Sequence, residues 1–198
     1  ATKAISSNLR SAEGFVWSGS AQQVMVTSNG FSGSTGTTEY GHGADISMED
    51  TDGRLPEAAD WAVARHHSDL IDVSGIAERA AARAMRRLGS GPVSSRRGAM
   101  LVENRVVGRI LGTLINPMHG GAIYEKRSCL ENKLNEQIAS SNLSIIDDPH
   151  IPRGLGSRPH DGDGRPTQRR LLVEDGILKT WLLNVYYARR LCAAPLSL

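Results

Sequence analysis

The chain has 198 residues, of which 39% are hydrophobic and 22% charged, enough for one large domain or two small ones with hydrophobic cores. Its net charge of +2 is too small to indicate nucleic-acid binding by itself. The two cysteines lack C-x-x-C spacing, which argues against a disulfide framework or zinc finger and favours a reducing, cytosolic compartment. We expect no membrane association, because the sequence contains neither a signal peptide nor an apolar run of about eighteen residues.

Short strand patterns dominate residues 1–50. Phe15–Trp17 and Val24–Thr27 combine β-branched and aromatic residues and predict strands. Residues 30–43 carry five glycines among Ser and Thr, so we expect a mobile loop or a hairpin tip there. Alternation of apolar and polar residues over Trp61–His66 predicts a half-buried strand.

An Ala-rich helix is predicted over residues 74–88, and Gly89 marks its end. Its polar side carries several arginines without interleaved aromatic residues, so we interpret it as a solvated face rather than a nucleic-acid contact. These arginines are Arg79, Arg83, Arg86 and Arg87. The following polar segment predicts a linker at 91–98, which separates a domain ending within 1–90 from another beginning within 99–198.

The second part of the chain is predicted to be organised around one buried helix. Apolar residues recur at three- and four-residue steps between Val106 and Met118, after the short apolar run Ala99–Val102. Gly108 and Gly112 lie on this helix, where each glycine costs about 1 kcal/mol relative to alanine. We therefore expect a neighbouring backbone to approach both glycines closely.

Further along the chain, the turn signals predict a β-rich arrangement. Gly120 and Gly121 follow the helix and are predicted to let the chain turn sharply. Asp175-Gly176 between two apolar runs is the strongest hairpin signal, and Asp147–Pro166 is predicted to be a loop. The fold class we predict is α+β: a β-rich N-terminal part with a packed helix, then the start of a β-rich C-terminal domain containing one buried helix.

No residue pattern in the chain forms a complete catalytic or metal site. A metalloprotease helix of the H-E-x-x-H type is excluded because no His-Glu pair occurs. Asp161–Gly164 resembles the start of a calcium loop, but the third, fifth and sixth positions counted from Asp163 are Arg, Thr and Gln, where acidic or amide ligands and a glycine are needed, so a turn is favoured. Cys129 follows Lys126 and Arg127 and, without a positioned histidine, is interpreted as a buried or half-buried thiol.

Several longer stretches carry a family resemblance. They are VTSNGFSGS, WAVARHHSDL, HGGAIYEKRSCLENKLNEQI and, as the most specific, the block D-x-x-G-x-P-T-Q-R…V-E-D-G-I-L…W-L-L…Y-x-A-R. Through them, about residues 10–191 resemble the PmbA/TldE branch of the TldD/PmbA family, described as metalloproteases and as modulators of DNA gyrase. The resemblance begins inside the family's N-terminal domain and stops early in its metalloprotease-like C-terminal domain, so we expect a fragment.

The resemblance implies a subunit without a metal. The TldD branch carries His-Glu-x-x-x-His on the corresponding helix, whereas this helix reads VVGRILGTLINPMHGG. By the resemblance, we expect no catalytic residue, metal ligand or cofactor in this chain, and zinc in a TldD-like partner. The pair would form a heterodimer that degrades or processes unfolded or flexible peptides in the cytosol, with a homodimer as the alternative assembly. Such pairs are linked to microcin precursor maturation and antitoxin turnover.

Four residues of the polar loop are predicted to contact a peptide or a partner, on the basis of loop polarity. They are Asp161, Asp163, Thr167 and Gln168. Strands around Leu143–Ile146 and Leu171–Leu183 would border a channel in which a peptide adds as a strand. The alternative function is a non-proteolytic regulatory module acting on a DNA-associated partner such as gyrase, with the arginine-rich helix face as its only support.

Overall fold

The structure is a computed structural model that describes residues 7–192. These residues form two compact units, each described here by itself. The N-terminal unit contains residues 7–23 and 36–97, and the C-terminal unit contains residues 24–35 and 98–192. Both combine strands with helices, which confirms the predicted α+β class. Within residues 7–192, no helix has the length and apolar character needed to cross a membrane.

A three-stranded sheet in the order β1-β2-β3 forms the framework of the N-terminal unit. Its strands are β1 (Leu9–Val26), β2 (Ser32–Met48) and β3 (Glu57–Ala64), and β2 and β3 pair antiparallel. Of the two structures predicted for residues 30–43, the mobile loop is wrong, because β2 occupies nearly all of this range, whereas a hairpin tip is found at residues 27–31, between β1 and β2. Gly41 and Gly43 instead leave room for aromatic rings of β1: a Cβ on either would collide with Trp17 or Phe15.

Helix α1 (Val73–Met85) packs its alanine-rich side against this sheet, as the sequence predicts. Ile46 and Met48 of β2 meet Ile76 of the helix in a fully buried cluster. Gly89 follows the helix with φ +66°, a left-handed conformation that glycine adopts without strain. The apolar spacing and the terminal glycine, which are both local signals, thus predict where helix α1 lies and where it ends.

The arginine-rich side of α1 is only partly solvated. Arg79 Nε lies 2.6 Å from Asp60 Oδ2, and Arg83 Nη1 lies 3.0 Å from Asp60 Oδ1. Asp60 is on β3 and only 3% exposed, so two guanidinium groups balance one buried carboxylate. The prediction of a solvated face holds for the exposed Arg79, Arg86 and Arg87 and is wrong for Arg83, whose side chain is 23% exposed.

The central helix of the C-terminal unit, α2 (Asn104–Ile115), is not buried, contrary to the prediction. Only its Leu111, Leu114 and Ile115 side packs against the core. The rest of the apolar stripe faces outward, with Val106 44% and Ile110 48% exposed. Periodicity reveals that a helix has an apolar side, but not how much of that side a neighbour covers.

The expected close approach at the helix glycines does not occur either. A Cβ built on Gly108 or Gly112 would meet no atom within 4 Å. The apolar run at residues 99–102 forms no strand, and Leu101 is fully exposed. Residues 125–138 form turns, and left-handed residues such as Lys126 (φ 56°) interrupt any helical path.

The remaining elements surround a second core. A 3-10 turn (Asn116–Met118) leads into α3 (Gly120–Tyr124), and α4 (Val185–Arg190) ends the described chain. An antiparallel sheet in the order β4-β5-β6 lies between them in sequence, with strands Ile145–Asp147, Arg170–Glu174 and Ile177–Leu178. The hairpin at Asp175-Gly176 is confirmed, and both residues have the positive φ of a type I′ turn, 49° and 80°. The core of the C-terminal unit includes Met118, Ile123, Leu172, Val173 and Leu178.

Candidate functional site

The C-terminal unit has two surface features that are candidates for a functional site. The first is the DGDG loop, residues 158–168, which holds the four predicted contact residues. The second is the tyrosine–arginine cluster, formed by Tyr124, Tyr186, Tyr187 and Arg190. The loop is a tightly bonded irregular segment, and the cluster joins the short helices α3 and α4.

Asp161 is a structural anchor of the DGDG loop, and its contact with a peptide or partner stays a prediction. It is 5% exposed, and its Oδ1 accepts hydrogen bonds from the backbone N–H groups of Asp163 at 2.9 Å and Arg165 at 2.8 Å. These bonds close an Asx-type turn, which agrees with the predicted turn. Burial of the Arg170 guanidinium group lowers its pKa, although the carboxylates of Asp147 and Asp161 act in the opposite direction.

Asp163 connects the loop to helix α4. Its Oδ2 accepts a hydrogen bond from the backbone N–H of Val185 at 2.9 Å, the first residue of that helix. Asn184, the residue before the helix, accepts a second one from Tyr187 N–H at 2.9 Å. Because the first N–H groups of a helix lack partners within it, these two side chains stabilise the start of α4.

Thr167 and Gln168 are adjacent in sequence but differ in environment. Thr167 is 4% exposed, and its hydroxyl donates to the Arg158 carbonyl at 2.5 Å. Since that hydroxyl proton is engaged, His150 Nε2, 3.1 Å away, must donate to the Thr167 oxygen. Gln168 is exposed. The structure thus brings all four predicted residues into one loop, and Gln168 alone presents an unburied side chain without a structural hydrogen bond.

The tip of the β1–β2 hairpin, which belongs to the C-terminal unit, packs on the DGDG loop. The Phe31 ring lies 4.8 Å from the His160 ring in an edge-to-face arrangement. A Cβ on Gly164 would be 2.5 Å from Phe31 Cγ, so this position needs glycine for space as well as for its φ of +77°. The Asn29 side-chain amide donates to the Asp163 carbonyl at 3.5 Å. The sequence offered no signal for this long-range contact.

The tyrosine–arginine cluster depends on the two glycines that begin α3. A Cβ on Gly120 would lie 2.6 Å from Tyr187 Cβ, and one on Gly121 would lie 3.1 Å from the Tyr187 hydroxyl. The predicted sharp turn is therefore wrong, because Gly120 and Gly121 are helical and instead admit the Tyr187 side chain. Tyr187 in turn lies 6.1 Å from Tyr124, ring centroid to ring centroid.

Arg190 lies over two of the tyrosine rings. Its guanidinium carbon is 5.4 Å from the Tyr186 ring centroid and 5.8 Å from that of Tyr124, both within cation–π range. A hydrogen bond to Tyr186 raises the pKa of Arg190. We did not predict these residues as a site, although the four-residue spacing of Tyr186 and Arg190 places them on one helix face.

Two family models match the chain. That of the PmbA/TldA metallopeptidase central domain covers residues 1–88, and that of the PmbA/TldA metallopeptidase C-terminal domain covers residues 95–195. The chain belongs to the PmbA/TldD metallopeptidase family. The predicted family resemblance is thereby confirmed.

Similar proteins place the chain among PmbA homologues. Metalloprotease PmbA of Escherichia coli O157:H7 is 34% identical over 131 residues, which are 66% of this chain and 29% of that protein. A PmbA homologue of Haemophilus influenzae is 28% identical, over 86% of this chain and 42% of its own length. The chain therefore spans less than half the length of these PmbA/TldD relatives.

Solved structures show the same fold. A proposed modulator of DNA gyrase from Bacteroides thetaiotaomicron has a TM-score of 0.92 and 32% identity, over 98% of this chain and 46% of that one. TldE from Thermococcus kodakarensis has a TM-score of 0.71 and 21% identity, over 90% of this chain and 40% of that one. The second similarity shows the fold alone.

The residues of this PmbA/TldD member do not fit the metal that its family name implies. Helix α2 contains no His, Cys, Asp or Glu side chain, and these are the residue types that bind zinc. Among residues 7–192, no group of three or more such side chains is arranged to hold a metal ion. Cys129 is exposed, which corrects its interpretation as a buried or half-buried thiol.

Proposed function

We propose that this protein is a PmbA/TldE-like subunit of a two-subunit TldD/TldE-type protease that processes flexible peptides in the cytosol. One observation carries the proposal: a chain matched to the family's C-terminal domain has a helix α2 without any metal-binding side chain. In such a pair, zinc would be held by the TldD-like partner, and this chain would supply structure and peptide contacts. The family membership and the name of the similar metalloprotease PmbA support the proteolytic part of this reading.

The test is a reconstitution with the TldD-like protein of the same organism. We expect the two proteins to co-purify and to cleave an unstructured peptide only when both are present. Removing the metal with a chelator should abolish cleavage. The matched control is a TldD-like partner whose two motif histidines are replaced by alanine, because this partner should still bind the chain but yield no product. Chelator-sensitive cleavage by this chain alone would contradict the proposal.

The rival function is a regulatory module that acts on a DNA-associated partner such as gyrase, and the name of the Bacteroides relative favours it. In this chain, however, Arg79 and Arg83 of the arginine-rich face are bound to Asp60. Arg86 is exposed and is therefore the informative position. DNA binding with a steep salt dependence that Arg86→Gln reduces would favour the regulatory module.

A further inference from the structure

We propose that the tyrosine–arginine cluster binds a carboxylate of a peptide, either the C-terminus or an Asp or Glu side chain. The choice of a peptide as ligand rests on the proposed function, whereas the recognition of a carboxylate rests on the geometry of the cluster. None of the four contact residues predicted from the sequence belongs to this cluster. The cluster therefore adds a ligand-binding site with a defined chemistry.

The guanidinium group of Arg190 is held in place before any ligand binds. Tyr186 contributes one ring from the same helix face, and Tyr124 contributes another from α3. Contact with two rings restricts the rotamers of a long side chain, so less conformational entropy is lost when a ligand binds. A guanidinium group has five N–H donors, so the hydrogen bond to Tyr186 leaves other donors of Arg190 for a ligand.

The cluster is accessible, and no residue that the structure describes supplies an acid partner for its cation. Tyr186 is 54% exposed and Tyr124 is 40% exposed. Glu125, the acid next to Tyr124 in sequence, is already bound by Arg127 at 2.6 Å. Within the described part of the chain, no carboxylate lies within ion-pair distance of Arg190. An exposed, oriented guanidinium group without an acid partner is suited to an anion from outside the chain.

The geometry favours a carboxylate over a phosphate. One guanidinium group carries one positive charge and can donate two parallel hydrogen bonds to a planar carboxylate. A phosphate dianion would need a second positive charge, and Arg190 is the one cation among the four residues of the cluster. Every unmodified peptide ends in a carboxylate, so such a site can recognise peptides of unrelated sequence.

Peptide binding to the 198-residue chain tests the site directly. Three N-terminally labelled, unstructured peptides of the same length would be titrated and followed by fluorescence anisotropy. The first has a free C-terminal carboxylate and no acidic side chain, the second has an amidated C-terminus and one Glu, and the third has neither. The first two separate the possible sources of the carboxylate, and the third reports binding that needs no carboxylate.

We expect at least one carboxylate-bearing peptide to bind about tenfold more tightly than the neutral peptide, since hydrogen bonds to charged groups are the stronger ones. Arg190→Gln should remove this difference. Arg189→Gln is the matched control, because it deletes the same charge from the neighbouring exposed residue of α4 and should preserve the difference. Tyr186→Leu, which removes one ring, should weaken the preference about threefold.

The proposal is overturned if the three peptides bind equally, if none binds, or if Arg189→Gln and Arg190→Gln reduce the preference equally. Thermal unfolding of each variant separates lost binding from lost folding. Should Arg190→Gln be unfolded, Arg190→Lys retains the charge without the planar fork and is expected to lose most of the preference. The peptide titration contains no TldD-like partner, so a negative result there does not contradict the proposed subunit role. Conversely, a failed reconstitution with the partner does not contradict the proposed carboxylate site.

Discussion

The side chain of Tyr187 lies directly against Gly120. A Cβ built on that glycine would be 2.6 Å from Tyr187 Cβ and 3.0 Å from Leu183 Cδ2, both closer than ordinary contacts. Helices α3 and α4 thus approach each other at a distance that only a residue without a side chain allows. The same approach brings Tyr124 of α3 within reach of Arg190 of α4.

Replacing Gly120 tests this packing. We expect Gly120→Ala to lower the free energy of unfolding by about 1–3 kcal/mol, because the added methyl group forces apart two packed helices. Gly108→Ala is the control: it lies in a helix with no atom near its Cβ position and should raise stability by about 0.5–1 kcal/mol. Urea unfolding measures both. Equal stability of the two variants would show that α3 and α4 are not tightly packed at Gly120.

The buried carboxylate of Asp60 provides a second test. Asp60→Ala removes the partner of Arg79 and Arg83 and should reduce the free energy of unfolding by about 2 kcal/mol, since both partly solvated arginines lose a hydrogen bond to a charged group. Asp52→Ala removes a surface ion pair with Arg54, in which the Asp52 side chain is 50% exposed, and should cost less than about 1 kcal/mol. Comparable losses in urea unfolding would contradict the structural role of Asp60.

The acid stability of the chain should depend on Asp50. Its Oδ2 accepts a hydrogen bond from Gly89 N–H and its Oδ1 one from Thr51 N–H, both at 2.8 Å, and these bonds lower the pKa of Asp50 below its ordinary value of 3.8. A carboxyl whose pKa is lower in the folded state stabilises the protein above the unfolded pKa and loses this effect as pH falls through the folded pKa.

We therefore expect Asp50→Asn to flatten the decline in unfolding free energy below about pH 4. Chemical unfolding of both proteins between about pH 2.5 and pH 6 would measure this decline. Asp52→Asn serves as the control, because the Asp52 side chain lies on the surface. If the unfolding free energy of Asp50→Asn declined at low pH as steeply as that of the unsubstituted protein, another carboxyl group would govern acid unfolding.

The DGDG loop separates structural residues from a testable contact. Asp163→Ala removes the acceptor for Val185 N–H and should cost about 1 kcal/mol of stability. Gln168→Ala changes an exposed side chain and should alter stability by less than about 0.5 kcal/mol. Peptide affinity measured on both variants then tests the predicted contact. A loss of affinity in Gln168→Ala at full stability would support it, and unchanged affinity would exclude Gln168.

Elements with strong local signals were predictable from the sequence. The helix predicted over residues 74–88 is observed as Val73–Met85, because apolar spacing and a terminal glycine act within a few residues. The Asp175-Gly176 hairpin follows from the positive φ values that this turn requires. The glycine-rich part of β2, residues 32–43, was missed, since its extended conformation is stabilised by pairing with strands distant in sequence.

The candidate site was predictable only in part. Sequence reasoning placed Asp161, Asp163, Thr167 and Gln168 in one loop, but burial and hydrogen bonding give the first three structural roles. The contact between Tyr124 and Arg190 joins residues 66 positions apart by their numbering, and no local pattern encodes it. The predicted burial of α2 was wrong for a similar reason, because an apolar stripe does not reveal which elements will cover it.

By itself, the sequence determined the family, the helices and hairpins with local signals, and the absence of metal-binding side chains on α2. These properties depend on residue identity and near neighbours along the chain. Only the tertiary structure decided that Asp60 is balanced by two arginines, that Gly120 makes room for Tyr187, and that Arg190 rests on two tyrosine rings. Each of these contacts requires two elements to meet in space, and their free energies depend on burial and distance that the order of residues does not contain.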